Sequence, residues 1–344
     1  MYAAKFVNHK SIFKQASGTS RGVLTEKDSW ILSLWKTENE LLVGKGEASI
    51  IKTLSPDWNE LYIDKLNSVA ANINDHIEND LVELTSFPSI LFAIETALLD
   101  LKNGGDDILF PSAFTDGKAS IPINGLIWMG EYEKMRVQII EKLAAGYKCI
   151  KLKIGAIDFE SELRLIASIR NEFNEDQIEI RVDANGAFSP EEAMDKLKRL
   201  ASLNIHSIEQ PIKQGQHKEM AELCLNTPLA IALDEELIGI TGYENKLELL
   251  TQIKPQYIIL KPSLIGGLRG TNEWIKAAEE FNIKWWITSA LETNIGLNAI
   301  AQYTFTKNNP LPQGLGTGQL FTNNFDSNLT IENGTLIHLS KRSN

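Results

Sequence analysis

Charged residues recur along this chain at nearly even intervals, and their types suit a proton transfer assisted by a metal ion. They are Lys151 and Lys153, Asp183, Glu209, Asp234 and Lys261. From Lys153 onward, consecutive positions are separated by 30, 26, 25 and 27 residues. Each position closes a short apolar run and precedes an amphipathic segment. This spacing predicts successive strand–helix units with one polar group at the end of each strand.

The three carboxylates predict a metal site made of oxygen ligands. Asp183, Glu209 and Asp234 offer only hard oxygen atoms, and no softer Cys or His side chain stands at these strand ends. Such ligands suit Mg²⁺, with Mn²⁺ as a substitute, and they leave positions open for a substrate oxygen. We therefore expect a small-molecule carboxylate as the substrate.

The flanking lysines predict a general base beside the metal. A free lysine has a pKa of about 10.4, which is too high for a base at neutral pH. A dication roughly 6 Å away would oppose the ammonium by about 5 kcal/mol at an effective dielectric constant near 20. Lys151 beside Lys153 acts in the same direction. A lysine with a lowered pKa can remove a proton alpha to a carboxylate, and the metal can stabilise the resulting enediolate.

The charged residues share one face of their strands. In the segment 149–154, Lys151 and Lys153 alternate with three apolar residues, and Arg181 and Asp183 do so in 178–183. Inward charges in a barrel are costly unless they are paired or bind a metal. Taken singly, an Asp at a strand end could instead cap a helix, and the Lys-x-Lys pair could lie on a solvated edge strand. The common register favours a functional site.

The elements that must position these residues predict an α/β fold with a TIM-type barrel. Strand candidates are 120–124, 149–153, 178–183, 207–209, 230–234, 257–261, 284–288 and 313–316, with helical patterns between them. A doubly wound open sheet is the alternative. It would require a topological switch point, and no GxGxxG turn follows the first strand.

The rest of the chain predicts a second, smaller region. Residues 1–118 read as an α+β capping domain, 119–320 as the barrel, and 321–344 as a tail that packs on the cap. Asn333-Gly334 between two apolar runs predicts a hairpin in that tail. The glycine-containing segments 17–22 and 44–49 read as mobile loops that reach over a site.

Composition narrows the class of protein. The net charge of −11 argues against a nucleic-acid partner. Two isolated cysteines support neither a disulfide framework nor a thiolate zinc site, and they favour a reducing, cytoplasmic compartment. No leader pattern and no apolar run of roughly 18 residues is present, so we expect no membrane partner. The sequence does not indicate an oligomeric state.

Several short motifs resemble the enolase superfamily, within it the muconate-lactonising-enzyme subgroup. They are Lys151-x-Lys153, Arg181-Val-Asp-Ala-Asn-Gly186, Ile208-Glu-Gln-Pro211, Leu233-Asp-Glu235, Leu260-Lys-Pro262 and the apolar helix 92–101. The resemblance implies a modified (β/α)7β barrel with a cap built from both termini. It implies that Asp183, Glu209 and Asp234 are the metal ligands and that Lys153 and Lys261 are the acid/base groups. It also implies that Asn185 supports these residues without binding the metal, and that capping loops lie at 17–22 and 44–51.

The subgroup includes lactonising enzymes, dipeptide epimerases, N-acylamino acid racemases and o-succinylbenzoate synthases. The segments 121–130, 288–298 and 314–321 resemble those of the synthases. The epimerases typically carry an Asp-x-Asp near the eighth strand, where this chain has Gly314-Leu-Gly-Thr-Gly318. Epimerase or racemase activity is the alternative within the superfamily. An inactive barrel that acts as a binding protein is the alternative of another class.

Four further residues are candidates for substrate binding. The backbone at Gly316 can receive a carboxylate. Ser289 and Thr317 either bind the succinyl carboxylate or cap helices. Arg181 either orders the site and contacts substrate or forms a core ion pair with Glu179.

Overall fold

The N-terminal region folds into an antiparallel sheet backed by helices. The computed structural model describes residues 1–19 and 22–340. The strands are β1 (Tyr2–Thr19), β2 (Gly22–Lys36) and β3 (Asn39–Ser49), and the helices are α1 (Tyr62–Ala71), α2 (Ile73–Glu78) and α3 (Pro88–Lys102), with a 3₁₀ turn at Val82–Leu84. Leu32 and Leu34 on β2 are fully buried in a core that α3 completes.

The predicted loop at 44–51 is wrong over most of its length. Residues 44–49 form the second half of β3, which lies directly against α3. A Cβ atom at Gly46 would lie 1.9 Å from the carbonyl oxygen of Ala93, and one at Gly44 would lie 2.1 Å from that of Ala97. These glycines permit close packing of strand on helix. Of the other predicted loop, 17–22, residues 17–19 end β1, Gly22 begins β2, and residues 20 and 21 lie outside the described residues.

The following region is a parallel barrel. After the short strand β4 (Ser120–Pro122), the barrel strands are β5 (Gly125–Ile127), β6 (Cys149–Lys153), β7 (Glu179–Asp183), β8 (Ser207–Glu209), β9 (Ile231–Leu233), β10 (Tyr257–Leu260) and β11 (Lys284–Ile287). The helices are α4 (Tyr132–Ala144), α5 (Phe159–Glu172), α6 (Pro190–Ala201), α7 (His217–Asn226), α8 (Tyr243–Ile253), α9 (Gly267–Glu280) and α10 (Asn294–Thr306), with a 3₁₀ turn at Glu235–Leu237. The strands pair in order from β5 to β11.

The barrel closes through single bridges. Gln313 pairs in parallel with Ile123, and Gly314 pairs in parallel with Thr288. This eighth position completes a (β/α)7β barrel, as predicted, although it is shorter than the strand expected at 313–316. The first barrel strand is also displaced from 120–124, because β4 joins a different sheet.

That other sheet contains the C-terminal hairpin. Strands β12 (Leu329–Glu332) and β13 (Thr335–His338) turn at Asn333 and Gly334, both with positive φ, which confirms the predicted hairpin. Strand β13 pairs with β4. Earlier in the tail, Thr322 donates its backbone N–H to the carbonyl of Ile12 on β1.

The domain boundaries at 118 and 320 stay predictions. No helix within the described residues is long and apolar enough to cross a membrane.

A carboxylate of the cap contacts the barrel and should make stability depend on pH. The oxygens of Glu95 on α3 accept the backbone N–H groups of Leu268 and Arg269, which begin α9. Burial raises the pKa of Glu95 from 4.5 to about 7, and the two N–H groups oppose this shift. The folded state therefore holds a proton that the unfolded state releases between these pH values. Stability should fall as pH rises from about 4.5 to about 7, and this contribution should be constant above that range.

Glu95→Gln should remove this part of the pH dependence. We expect the difference in unfolding free energy between about pH 5 and about pH 8, measured with urea, to shrink in the variant. An identical pH profile for the two proteins would show that Glu95 does not titrate in this range.

Candidate active site

The strand ends place the charged residues around one end of the barrel interior. Parallel pairing aligns Lys153 on β6 with Asp183 on β7, and Asp183 with Glu209 on β8. Asp234 and Lys261 directly follow β9 and β10. All three carboxylate residues are buried to within 2% exposure. The even spacing noted in the sequence therefore becomes a ring at the C-terminal ends of the strands, where barrel enzymes build their sites.

The lysines and carboxylates form direct ion pairs. Lys153 Nζ lies 2.6 Å from Asp183 Oδ2 and 2.7 Å from Asn185 Oδ1. Lys151 Nζ lies 2.8 Å from the same Asp183 oxygen, and it also donates to Glu209. Across the barrel, Lys261 donates to Asp234. Because β6 and β10 are separated by three strands, Lys153 and Lys261 approach the interior from opposite sides.

The ion pairs shift the titration of their members. Burial disfavours the charged form of Lys151, but Asp183 and Glu209 outweigh burial and raise its pKa. Burial also disfavours the Asp183 anion, yet Lys151 and Lys153 hold the pKa of that carboxyl well below its usual value. Burial and the neighbouring Asp183 charge raise the pKa of Glu209. The surroundings therefore strongly favour the ionised form of Asp183 and disfavour the ionised form of Glu209.

The carboxylates raise the pKa of Lys151 and, against burial, that of Lys261. The lowering of a lysine pKa by a bound dication, which was expected from the sequence, stays a prediction. The raised pKa of Glu209 indicates that the site would accommodate additional positive charge.

Two buried oxygens fit a cation. Within residues 1–19 and 22–340, Glu209 Oε1 and Asp234 Oδ1 are buried without a hydrogen-bond partner. In the same residues no three Asp, Glu, His or Cys side chains already form a metal-binding group. Lysine ammonium groups contact one oxygen each of Asp183, Glu209 and Asp234. The donor set is nevertheless the all-oxygen type that Mg²⁺ prefers.

Residues behind the ring fix the orientation of the carboxylates. Asn185 donates its backbone N–H to Asp183 Oδ1 and its side-chain amide to Glu235 Oε1. Gln210 Oε1 accepts the backbone N–H of Asp234 at 3.3 Å. Both Asn185 and Gln210 have positive φ, of 44° and 41°. Left-handed backbone at non-glycine residues concentrates at functional sites, where surrounding contacts hold it in place.

A pocket opens above the ring and has two unlike walls. Its barrel side includes the ammonium-bearing Lys151, Lys153 and Lys261 together with Asn185 and Glu235. The cap contributes Leu24, Ile51, Thr53 and Leu54, and the remaining lining residues are Asn124, Leu126, Trp128, Trp286, Thr288, Ser289, Ala290, Leu291, Gly314, Gly316 and Thr317. The pocket therefore combines charged groups at one end with apolar side chains at the other, which suits an organic anion.

The remaining candidates for substrate binding lie in two different places. Ser289 Oγ and Thr317 Oγ1 lie 2.7 Å apart in the pocket wall beside Gly316. The N-cap residue of helix α10 is Thr293. Arg181 lies below the pocket, where it pairs with Glu179 at 2.6 Å and its guanidinium stacks 4.0 Å from the Trp286 ring. The core ion pair that the sequence left as an alternative for Arg181 is thus present.

Sequence reasoning missed most of the apolar part of the pocket. Trp286 follows the inward alternation of β11, so its pattern could have indicated it. Ile51 ends the segment 44–51 that was expected to reach over a site, and it does line the pocket. Leu24 and Leu54 also reach the pocket from the cap, and no local pattern distinguishes these two from other apolar residues of that region.

Comparison with known proteins shows the family to which this chain belongs. The profile of the enolase C-terminal domain-like family matches residues 134–342, and the chain belongs to that family. An o-succinylbenzoate synthase of Desulfotalea psychrophila is 50% identical over 356 aligned residues, covering 94% of this chain and 96% of that protein.

Solved structures agree with this placement. The crystal structure of MenC from Desulfotalea psychrophila is similar with a TM-score of 0.85 at 46% identity, and the match covers 98% of this chain and 99% of that one. A dipeptide epimerase from Enterococcus faecalis, complexed with Mg and L-Leu-L-Tyr, gives a TM-score of 0.82 at 21% identity over 98% and 96% of the chains. At that identity the likeness shows the fold alone.

Proposed function

We propose that this chain is an o-succinylbenzoate synthase, a carbon–oxygen lyase of menaquinone biosynthesis. It dehydrates 2-succinyl-6-hydroxy-2,4-cyclohexadiene-1-carboxylate to o-succinylbenzoate. The observation that carries the proposal is the 50% identity to a synthase across nearly the whole of both chains. The two lysines that face one another across a carboxylate ring supply the chemistry that this reaction requires.

The carboxylate ring is the proposed metal site. Asp183, Glu209 and Asp234 would hold Mg²⁺, with Mn²⁺ as a substitute, and the unpartnered buried oxygens of the last two residues support this assignment. When bound, the cation supplies positive charge beside the substrate carboxylate and so makes the alpha proton easier to remove.

Lys153 acts as the base and then as the acid. Its neutral amine takes the proton from the carbon of the substrate's cyclohexadiene that bears the carboxylate. The C–H electron pair moves towards that substrate carboxylate. The ammonium then returns the proton to the hydroxyl group on the same face, the C–O bond breaks, and water leaves. The new double bond makes the ring aromatic, so the overall step is a syn elimination.

Lys261 and the residues around Lys153 support that transfer. Lys261, across the barrel, stays cationic and stabilises the negative charge that develops on the substrate. Asn185 orients Lys153 through their 2.7 Å contact, and Lys151 keeps a positive charge near the substrate carboxylate. The turn at Gly316 with Ser289 and Thr317 is the proposed contact for the succinyl carboxylate.

Epimerase or racemase activity is the second candidate, because two opposed lysines also suit proton removal from one face and return to the other. The pocket argues against an amino-acid ammonium group, since the turn 314–318 carries no carboxylate to receive it.

The two candidates can be separated in D₂O. We expect the wild-type protein to convert the cyclohexadiene to the aromatic product, as followed by absorbance and mass spectrometry. A small set of dipeptides and N-acylamino acids, tested in parallel, reports deuterium exchange at the alpha carbon. Formation of both epimers without any dehydration would replace the synthase by an epimerase or racemase.

A further inference from the structure

Two carboxylates of the cap each lie at the N-terminus of a barrel helix. Glu47 on β3 meets α10, and Glu95 on α3 meets α9. Both helices carry a glycine where the carboxylate enters. A Cβ atom at Gly296 would lie 2.9 Å from Glu47 Oε2, and one at Gly267 would lie 2.3 Å from Glu95 Oε2. Negative charge at this end of a helix is favoured by the exposed N–H groups and by the helix dipole.

Glu47 is fully buried and fully hydrogen-bonded. Its Oε1 accepts the Thr293 N–H at 2.9 Å and the Ser29 hydroxyl at 2.7 Å. Its Oε2 accepts the Gly296 N–H at 2.9 Å and the Thr293 hydroxyl at 2.6 Å. Buried Lys27 donates to Ser29 at 3.1 Å and so places a positive charge nearby. A buried carboxylate with this many partners holds the cap and the barrel in one defined relation.

Glu47 connects two chain segments that lead to opposite walls of the pocket. Four residues after it, the chain reaches Ile51, which lines the pocket from the cap side. Two residues before Thr293, Leu291 lines the pocket from the barrel side with a φ of 61°. The Ala290 N–H donates to Glu292 Oε2 at 2.6 Å and helps to keep this segment in place. Strained backbone of this kind persists where neighbouring contacts over-determine it.

We propose that Glu47 is a positioning residue for substrate binding, which sets the separation of the cap wall at 51–54 from the barrel wall at 288–291. Glu47 touches no substrate. It acts through the hydrogen bonds that join β3 to the start of α10. The inference rests on the proposed synthase function for its kinetic test, and one of its measurements is independent of that function.

Glu47→Gln should raise KM for the synthase substrate about tenfold and change kcat less, because binding contacts from the cap are lost while the lysine and carboxylate ring is untouched. A glutamine has one amide group that only donates, and at this site it must face a backbone N–H of Thr293 or Gly296.

Glu95→Gln is the matched control. It also removes a cap carboxylate from a helix N-terminus, but among the described residues that line the pocket none comes from α9. Glu47→Gln should lose stability and raise KM, whereas Glu95→Gln should leave KM near the wild-type value.

Hydrogen exchange gives the readout that does not depend on turnover. Backbone amides at 51–54 and 289–291 should exchange faster in Glu47→Gln than in Glu95→Gln. Equal exchange in the two variants would overturn the inference even if the synthase assay failed. If wild-type turnover is present, a KM that rises equally in both variants would overturn it as well.

Discussion

Lys153→Ala should reduce kcat for dehydration by about 10²–10⁴-fold, the range that a positioned general acid and base contributes. The amine of Lys153 is the group that both removes and returns the proton, so its loss affects each half of the elimination. Lys151 lies two residues earlier on β6 and pairs with Asp183 and Glu209 in this structure, so we do not expect it to replace Lys153. The rate should be measured with saturating substrate and Mg²⁺.

Lys151→Met is a useful companion to that variant. It removes a neighbouring ammonium that takes no part in the proposed proton transfer, so we expect a smaller loss of kcat than in Lys153→Ala. Circular dichroism should show that both variants retain the wild-type fold. A Lys153→Ala protein that is folded and dehydrates the substrate at the wild-type rate would refute the assignment of the base.

Glu209→Gln should weaken Mg²⁺ binding beyond the roughly 10–100-fold that loss of an outer-shell partner costs, since a ligand itself is changed. The amide replaces an anionic oxygen that is buried and lacks a hydrogen-bond partner among the described residues. The NH₂ group of the glutamine would also face either the Lys151 ammonium or the cation. It can neither accept a hydrogen bond from the ammonium nor act as a ligand to the cation. Calorimetric titration with Mg²⁺ measures the affinity, and activity should fall in parallel.

Glu179→Gln is the matched control for the metal experiment. Glu179 is another carboxylate of the barrel interior, but it lies at the start of β7 and pairs with Arg181. Its replacement should alter stability and leave Mg²⁺ affinity near the wild-type value. If Glu209→Gln bound Mg²⁺ as tightly as Glu179→Gln does, Glu209 would not be a ligand.

The sequence predicted the ring well because the ring depends on local rules. Alternation along β6 and β7 places Lys153 and Asp183 on the inward face, and parallel pairing then aligns them. A constant strand–helix repeat carries the same register to Glu209. These relations need only the chirality and pairing of neighbouring units, which short-range patterns specify.

The length of the closing strand and the upper pocket could not be predicted in the same way. The sequence placed the eighth strand at 313–316, but the bridges at Gln313 and Gly314 are too short for a periodic signal to fix its bounds. Strand β4 pairs with a hairpin more than 200 residues later in the chain. The contact of Glu47 with Thr293 spans 246 residues. Such pairings depend on the packing of the complete fold.

Gly44 and Gly46 show how one residue type can mislead. Glycine is frequent in mobile loops and also wherever two backbones approach closely. The sequence argument chose the first meaning, and the packing of β3 against Ala93 and Ala97 requires the second. The pocket residues at 51–54 follow this rigid strand, so the cap wall begins from a fixed support.

The most direct test of the account is dehydration of the cyclohexadiene carboxylate by the wild-type chain, measured with and without divalent metal. We expect o-succinylbenzoate to form with Mg²⁺, chelation to stop its formation, and restored Mg²⁺ to recover it. Absence of the aromatic product at saturating Mg²⁺, or its formation at an unchanged rate after complete chelation, would contradict the account.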